Sequence, residues 1–347
     1  MYIKKILLAI VGIGLVLGGI FAYMVYGAFL SPNTSFTEDQ IIVHVRSEAG
    51  FEEVKDSLSG YLQDIETFGQ AAQKKGYASN IKGGRYAIKK GMNNNEIINS
   101  LRSKNLPVKV SFNNQERLEN LAGRIATQIE ADSVSLLAAM RDPEFLSENN
   151  LEATNELAVY LPNSYEFFWN TSAEEFRDRM LKEYQRFWTE ERIEKAKKQG
   201  LTPNEAIALA AIVHKETAKI DERPRVAGLY LNRLKTNMLL QADPTVIYAI
   251  KKHRGDFDIV IKRVLYKDLE IDSPYNTYKY AGVPPGPITM PDISAIEAVL
   301  NPEQHDYIYM VANVENFGYH KFAKTAAQHN RNKVQYVRWI NAQGINR

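Results

Sequence analysis

No charged residue occurs between residues 6 and 37, and residues 6–30 are apolar or small almost throughout. As a helix, that stretch would be about 37 Å long at 1.5 Å per residue, enough to cross a hydrocarbon core of about 30 Å with some tilt. Lys4 and Lys5 precede it, and the bias of basic residues toward the cytoplasmic side predicts that the chain after residue 30 lies across the membrane. A cleaved leader would carry a shorter apolar core and a small-x-small cleavage site. Here the run is longer and ends in Tyr26-Gly27-Ala28, with a bulky tyrosine where a small residue is wanted. An anchor is therefore expected: residues 1–5 cytoplasmic, residues 6–30 spanning, and residues 31–39 a polar linker.

The 347 residues, 45% of them hydrophobic, suffice for two or three domains. A net charge of +2, without a dense basic face, excludes the electrostatic footprint of a nucleic-acid binder. The absence of cysteine rules out disulfides, thiolate metal sites and a cysteine nucleophile.

Periodicity predicts an α+β chain. Ile41-Ile42-Val43-His44-Val45 reads as a strand. Helical patterns come next over residues 51–62 and 66–75, then a strand at Arg85-Tyr86-Ala87-Ile88 and a helix with Ile97, Ile98 and Leu101 on one face. This strand, helix, helix, strand order resembles a LysM-like module, assigned to residues 40–105; a plain spacer is the alternative. A strand is expected at Val108-Lys109-Val110-Ser111-Phe112, helices over residues 115–129 and 133–140, an extended run over 161–167, and one long helix over 173–198 stopped by Gly200.

Thr202-Pro203-Asn204-Glu205 combines an N-cap, a proline at the first helical position and a glutamate three residues after the cap. The next eight residues, Ala206 to Val213, are uninterrupted apolar sequence, the mark of a helix buried on most sides. Glu216 falls three, four and seven positions after Val213, Ile212 and Leu209, so its carboxyl extends the apolar stripe while His214 and Lys215 point elsewhere. Partial desolvation would raise its pKa toward the range of a general acid. An ion pair with Arg223 or Arg225 is the structural alternative.

Ile212-Val213-His214-Lys215-Glu216-Thr217 is succeeded by Glu222-Arg223-Pro224-Arg225-Val226-Ala227-Gly228, by Asn232-Arg233-Leu234 and by Leu240-Gln241-Ala242-Asp243-Pro244-Thr245. Ser273-Pro274-Tyr275-Asn276-Thr277-Tyr278 and Gly282-Val283-Pro284-Pro285-Gly286-Pro287-Ile288 complete the series. In this order and spacing the motifs resemble the endolytic murein transglycosylase (YceG-like) family. The resemblance covers the whole chain in architecture and is most specific over residues 205–330. It implies an inner-membrane, single-pass protein whose lytic transglycosylase domain, residues 106–347, lies in the periplasm. It also implies cleavage of the MurNAc-GlcNAc bond within nascent peptidoglycan strands to leave 1,6-anhydro ends, near the synthases that make them and without a cofactor. The family's catalytic glutamate sits in an Ile-Val-Glu-Lys-Glu-Thr-like run. His214 replaces the first glutamate here, so Glu216 alone matches the catalytic position. Pro162-Asn163-Ser164-Tyr165 and Ala242 are mild departures from the family pattern.

Gln241, Asp243, Tyr275, Asn276 and Tyr278 are candidate sugar contacts on loops, and His320 and Asn330 match positions of the family's closing motif. Asp243 could instead cap the helix beginning there, and the tyrosines could belong to the core. The Pro284 to Pro287 run reads as a rigid wall of the cleft. His320 and His329 lack the helix-spaced partners of a zinc site. Two rival functions remain open at this stage: a non-catalytic glycan-binding scaffold, and a hydrolase pairing Glu216 with Asp243, Glu222 or Glu166.

Overall fold

A computed structural model describes residues 2–342. The chain folds as an α+β protein of two compact units. The elements in order are α1 (Tyr2–Phe29), β1 (Gln40–Val45), α2 (Phe51–Ser59), α3 (Ile65–Lys74), β2 (Gly84–Lys89), α4 (Asn94–Ser103) and β3 (Pro107–Phe112). They continue with α5 (Leu118–Ala126), α6 (Ser133–Met140), α7 (Pro143–Glu148), β4 (Asn163–Phe168), α8 (Ala173–Phe187), α9 (Glu190–Lys198) and α10 (Pro203–Glu216). The rest comprises α11 (Arg223–Lys235), α12 (Asp243–Arg254), α13 (Ile293–Leu300), β5 (Tyr309–Ala312), β6 (His320–Ala323) and α14 (Ala326–Ala342). Among the described residues, three two-stranded sheets pair β1 with β2, β3 with β4, and β5 with β6.

The first unit holds residues up to 110 together with 127–131 and 165–172. α1 is apolar enough to cross a membrane and buries none of its residues. Antiparallel β1 and β2 set Val43 opposite Tyr86. Alternation turns Val43, Val45, Tyr86 and Ile88 onto a core shared with Ile97, Ile98 and Leu101 of α4. Residues 31–39 are not a loose linker. Asn33 accepts from the Asp64 amide at 2.8 Å and donates to the Asn94 side chain at 2.6 Å, and backbone bonds tie Asn33 to Met92 and Gln63 and tie Ser35 to Tyr61. The sequence cuts the chain once, between residues 105 and 106, whereas two later segments return to this unit. Glu130 there accepts from the Ser47 amide and hydroxyl, Asn170 accepts from Asn105, and Trp169 packs on His44.

The second unit is built around α10. The predicted cap forms: Thr202 accepts from the Glu205 amide at 3.3 Å and Glu205 from the Thr202 amide at 2.8 Å, satisfying helix N–H groups that have no partner within the helix. Every residue from Ala206 to Val213 is buried, against α11 and α13 among other elements. Truncating Leu209 to alanine in such a core costs about 2–5 kcal/mol. The long helix expected over 173–198 is two helices. α8 ends at Phe187, and Thr189 caps α9 by accepting from the Arg192 amide. Gly200, at φ +77, comes after it as predicted.

Candidate active site

Glu216 is the last residue of α10, half-buried where the helix leaves the core. The ion pairs weighed as an alternative do not form: Arg223 bonds Asp292 and Ser294, and Arg225 bonds Glu303. Among the described residues, the side-chain partner of Glu216 is Tyr230 of α11, whose hydroxyl donates to Oε1 at 2.8 Å. Burial raises the carboxyl above its ordinary pKa, and the negative charge of Asp243 adds to this; the Tyr230 hydrogen bond and the positive charges of His320 and Arg233 act the other way. The neighbours diverge as predicted, His214 toward Asp292 and Lys215 toward Glu116.

Two walls flank the carboxyl. One is the start of α12, where Tyr278 donates to Asp243 Oδ1 at 2.6 Å. Ala242, not Asp243, occupies the N-cap position, and no side chain caps the helix there, so Asp243 is not spent on capping. Gln241 takes a left-handed φ of 48 and donates its amide to the Thr277 carbonyl, a conformation that costs a non-glycine residue roughly 1–2 kcal/mol. Thr277 Oγ1 accepts from the Ala242 amide and bonds Thr245, which binds the two loops together.

The other wall is the β5–β6 hairpin. His320 donates its backbone N–H to Glu222 Oε1 at 2.6 Å, and its Nδ1 lies 3.0 Å from Oε2. Burial alone would lower the imidazole pKa, but the hydrogen bond and charge of Glu222 raise it above its usual value, with Glu216 contributing. Glu222 is 3% exposed and its own pKa is held low by His320 despite burial. Arg233 ties both walls to α11, donating to the Leu240 and Ile308 carbonyls. A recess of about 200 Å³ opens here, lined by Glu216, His320, Phe317, Tyr319, Tyr336 and Trp339, among others.

Asp243, Tyr278 and His320 thus all lie within electrostatic reach of Glu216 or of its partner Tyr230. Other candidates lie elsewhere. Tyr275 is in the core with its hydroxyl toward Thr154, and Asn276 is fully buried, donating to the Leu269 and Ile271 carbonyls. Both hold the loop that carries Tyr278. Gln241 is exposed at the entrance to α12, and Asn330 is exposed on α14, whose Tyr336 and Trp339 line the recess instead. His329 stacks on Tyr309. Gly286 of the proline-rich run is packed so closely that a Cβ there would stand 1.7 Å from the Thr154 carbonyl oxygen. Glu166 sits exposed on β4, in the segment belonging to the first unit.

Sequence reasoning missed Tyr230, Arg233 and the anchoring role of Glu222. The sequence offered one signal for the first two: a tyrosine, and an arginine three positions later, on the mostly apolar α11.

The model of the YceG-like family matches residues 43–335. The endolytic murein transglycosylase of Bacillus subtilis (strain 168) is 31% identical over 342 residues, spanning 93% of this chain and 91% of that protein. The protein of the same name from Streptococcus pneumoniae serotype 2 (strain D39) is 27% identical, over 92% of this chain and 62% of its own. A crystal structure of a yceG-like protein from Listeria monocytogenes is similar at a TM-score of 0.57 and 28% identity, covering 85% of this chain and 99% of that one. With the family matched over residues 43–335 and a relative 31% identical across nearly the full length of both proteins, the chain belongs to the YceG-like family.

Proposed function

We propose that the protein is an endolytic lytic transglycosylase of peptidoglycan, the activity named in its Bacillus and pneumococcal relatives, with Glu216 as its single acid and base. The observation that carries this reading is a carboxyl at the end of a buried helix, raised in pKa, held by a tyrosine hydroxyl rather than by a basic side chain, and opening on a recess. Two-carboxylate glycosidases need a second acidic residue to act as nucleophile or to activate water. Here the muramic C6 hydroxyl supplies the nucleophile, and an intramolecular attack benefits from a very high effective concentration.

In this mechanism the Tyr230 hydrogen bond occupies Oε1 and leaves the transferable proton on Oε2. Glu216 gives that proton to the glycosidic oxygen as the bond to muramic C1 breaks. The resulting carboxylate then accepts the C6 hydroxyl proton while O6 bonds to C1. The proton balance closes on Glu216, and the product carries a 1,6-anhydro end.

Asp243, Tyr278 and His320 would orient the sugars around the scissile bond, with Gln241 at the edge of the cleft. The charged ends of Asp243 and His320 support this assignment, while the buried positions of Tyr275 and Asn276 favour a supporting part for those two. The anchor reading places α1 in the cytoplasmic membrane, called the inner membrane where an outer one exists, with Lys4 and Lys5 inside and the folded units outside. The order of β1, α2, α3 and β2 supports a LysM-like, glycan-holding module over residues 40–105. A site held close to the membrane suits termination of nascent strands beside the synthases that extend them.

Mass spectrometry of isolated glycan strands digested with the full chain tests the reaction. The expected products are internal cuts with 1,6-anhydro-muramic ends. Glu216→Gln should lower the rate by about 10²–10⁴-fold, since both proton transfers fail together. Reducing ends from the wild type would favour a hydrolase using Asp243, and comparable turnover by a folded Glu216→Gln protein would eliminate the mechanism.

A further inference from the structure

The recess beside Glu216 has an aromatic wall that acid–base chemistry does not require. Phe317 and Trp339 meet at 5.4 Å between ring centres, and Tyr319 and Tyr336 line the same space. The wall is not covered as a satellite core would be: Phe317 is 65% exposed, and Tyr319, Tyr336 and Trp339 are only half-buried. Singly exposed apolar residues are ordinary, whereas a cluster of rings lining a concavity with a carboxyl in it marks a binding surface.

The wall is also rigid. Asn313 accepts from the Glu315 and Asn316 amides through Oδ1, and its own amide donates to the Tyr319 carbonyl at 2.8 Å. Gly318 turns the chain at φ +85, a conformation disfavoured for other residues. The Tyr319 hydroxyl donates to Asp221 at 3.0 Å, fixing the hairpin tip to the loop after Glu216. A preorganised surface spends little free energy on ordering when a ligand arrives.

Resting on the transglycosylase reading, we propose that this recess is a saccharide subsite next to the scissile bond, in which Phe317 and Trp339 stack on a pyranose ring. One face of a pyranose presents C–H groups, which suit the electron-rich face of an aromatic ring, while its hydroxyls need polar partners at the edges. Here Trp339 and Phe317 line the same recess as the polar Glu216 and His320. At about 200 Å³, the space falls below the roughly 300–1,000 Å³ of sites for drug-sized ligands, and so fits a single ring rather than a length of strand.

Calorimetric titration of the full chain in detergent, in the Glu216→Gln background, with a stem-free GlcNAc-MurNAc tetrasaccharide reads the subsite directly. Trp339→Ala and Phe317→Ala should each weaken binding about tenfold, whereas Trp339→Phe keeps most of it. In the active enzyme, KM should rise more than kcat falls, as expected when binding shared by ground and transition states is lost. Phe317 is exposed enough that its replacement leaves folding intact. Binding by both alanine variants as tight as that of the Glu216→Gln parent would overturn the subsite while the transglycosylase reading stands on its anhydro products. Reducing ends from the wild type would overturn that reading instead.

Discussion

Glu216 is bracketed by charges of opposite sign, and their effects on its protonation can be separated. The positive charge of His320 lowers the carboxyl pKa and the negative charge of Asp243 raises it, both against a larger upward push from burial. In the proposed mechanism activity needs the protonated acid, so it should fall as pH rises through this raised pKa. His320→Gln is expected to move the alkaline limb of kcat/KM to higher pH, and Asp243→Asn to move it lower. A pair of shifts in the same direction would show that the two residues act on the rate by another route. The same carboxyl bears on stability. Its folded-state pKa lies above the unfolded value, so the folded protein binds more protons between the two, and stability declines as pH rises through that window. Above it the penalty is fully present. Glu216→Gln removes the penalty while keeping an oxygen for the Tyr230 hydroxyl to meet. The variant should therefore melt higher than wild type at pH 8, by roughly 2–4 °C for each kcal/mol recovered, and match it near pH 4. Differential scanning calorimetry at the two pH values checks this, and a lower melting temperature at pH 8 would contradict it.

At the scale of elements, legibility in the sequence tracks how local each signal is. The cap at Thr202, the apolar run of α10 and the position of Glu216 at its end lie within fifteen residues, and the structure reproduces them. The break between α8 and α9 was also written locally, in Thr189, but the helical pattern on both sides concealed it. Tyr230, Arg233 and Glu222 matter through partners at 14, 75 and 98 positions' separation, and nothing in their immediate neighbourhood announces such distant contacts. The proline-rich run lies between these cases. Its rigidity was legible, but the reason for its glycine appears only in three dimensions, where the Thr154 carbonyl occupies the space a side chain would need. Gly286→Ala should therefore force a backbone shift and destabilise the protein by about 1–3 kcal/mol in urea unfolding, the usual range for overpacking. An unchanged midpoint would mean that the segment around Thr154 gives way freely.

The whole molecule depends on how the apolar helix is joined to the first folded unit. Residues 31–39 read in sequence as a short polar linker, and they pack against that unit through a set of hydrogen bonds. Asn94, fully buried, donates to the Ala28 carbonyl at the end of α1 and accepts from Asn33. Asn33 in turn receives the Asp64 amide and donates to its carbonyl. Phe29, the last residue of α1, packs on the same core. With α1 in a membrane, such a junction would hold the first unit at the bilayer face rather than on a swinging arm. The junction can be tested without a membrane by comparing a chain begun at Ser31 with one begun at Gln40. The shorter chain removes Asn33, and with it the donor to the buried Asn94 Oδ1 and the acceptor of the Asp64 amide, at about 1–3 kcal/mol for each group left unsatisfied. Its melting temperature by circular dichroism should fall by several degrees. Its amides near Asp64 and Met92 should exchange hydrogen faster, because the groups facing them are gone. If the two chains melt together and exchange alike, residues 31–39 are a passive spacer and the first unit is not held to the end of α1 through them.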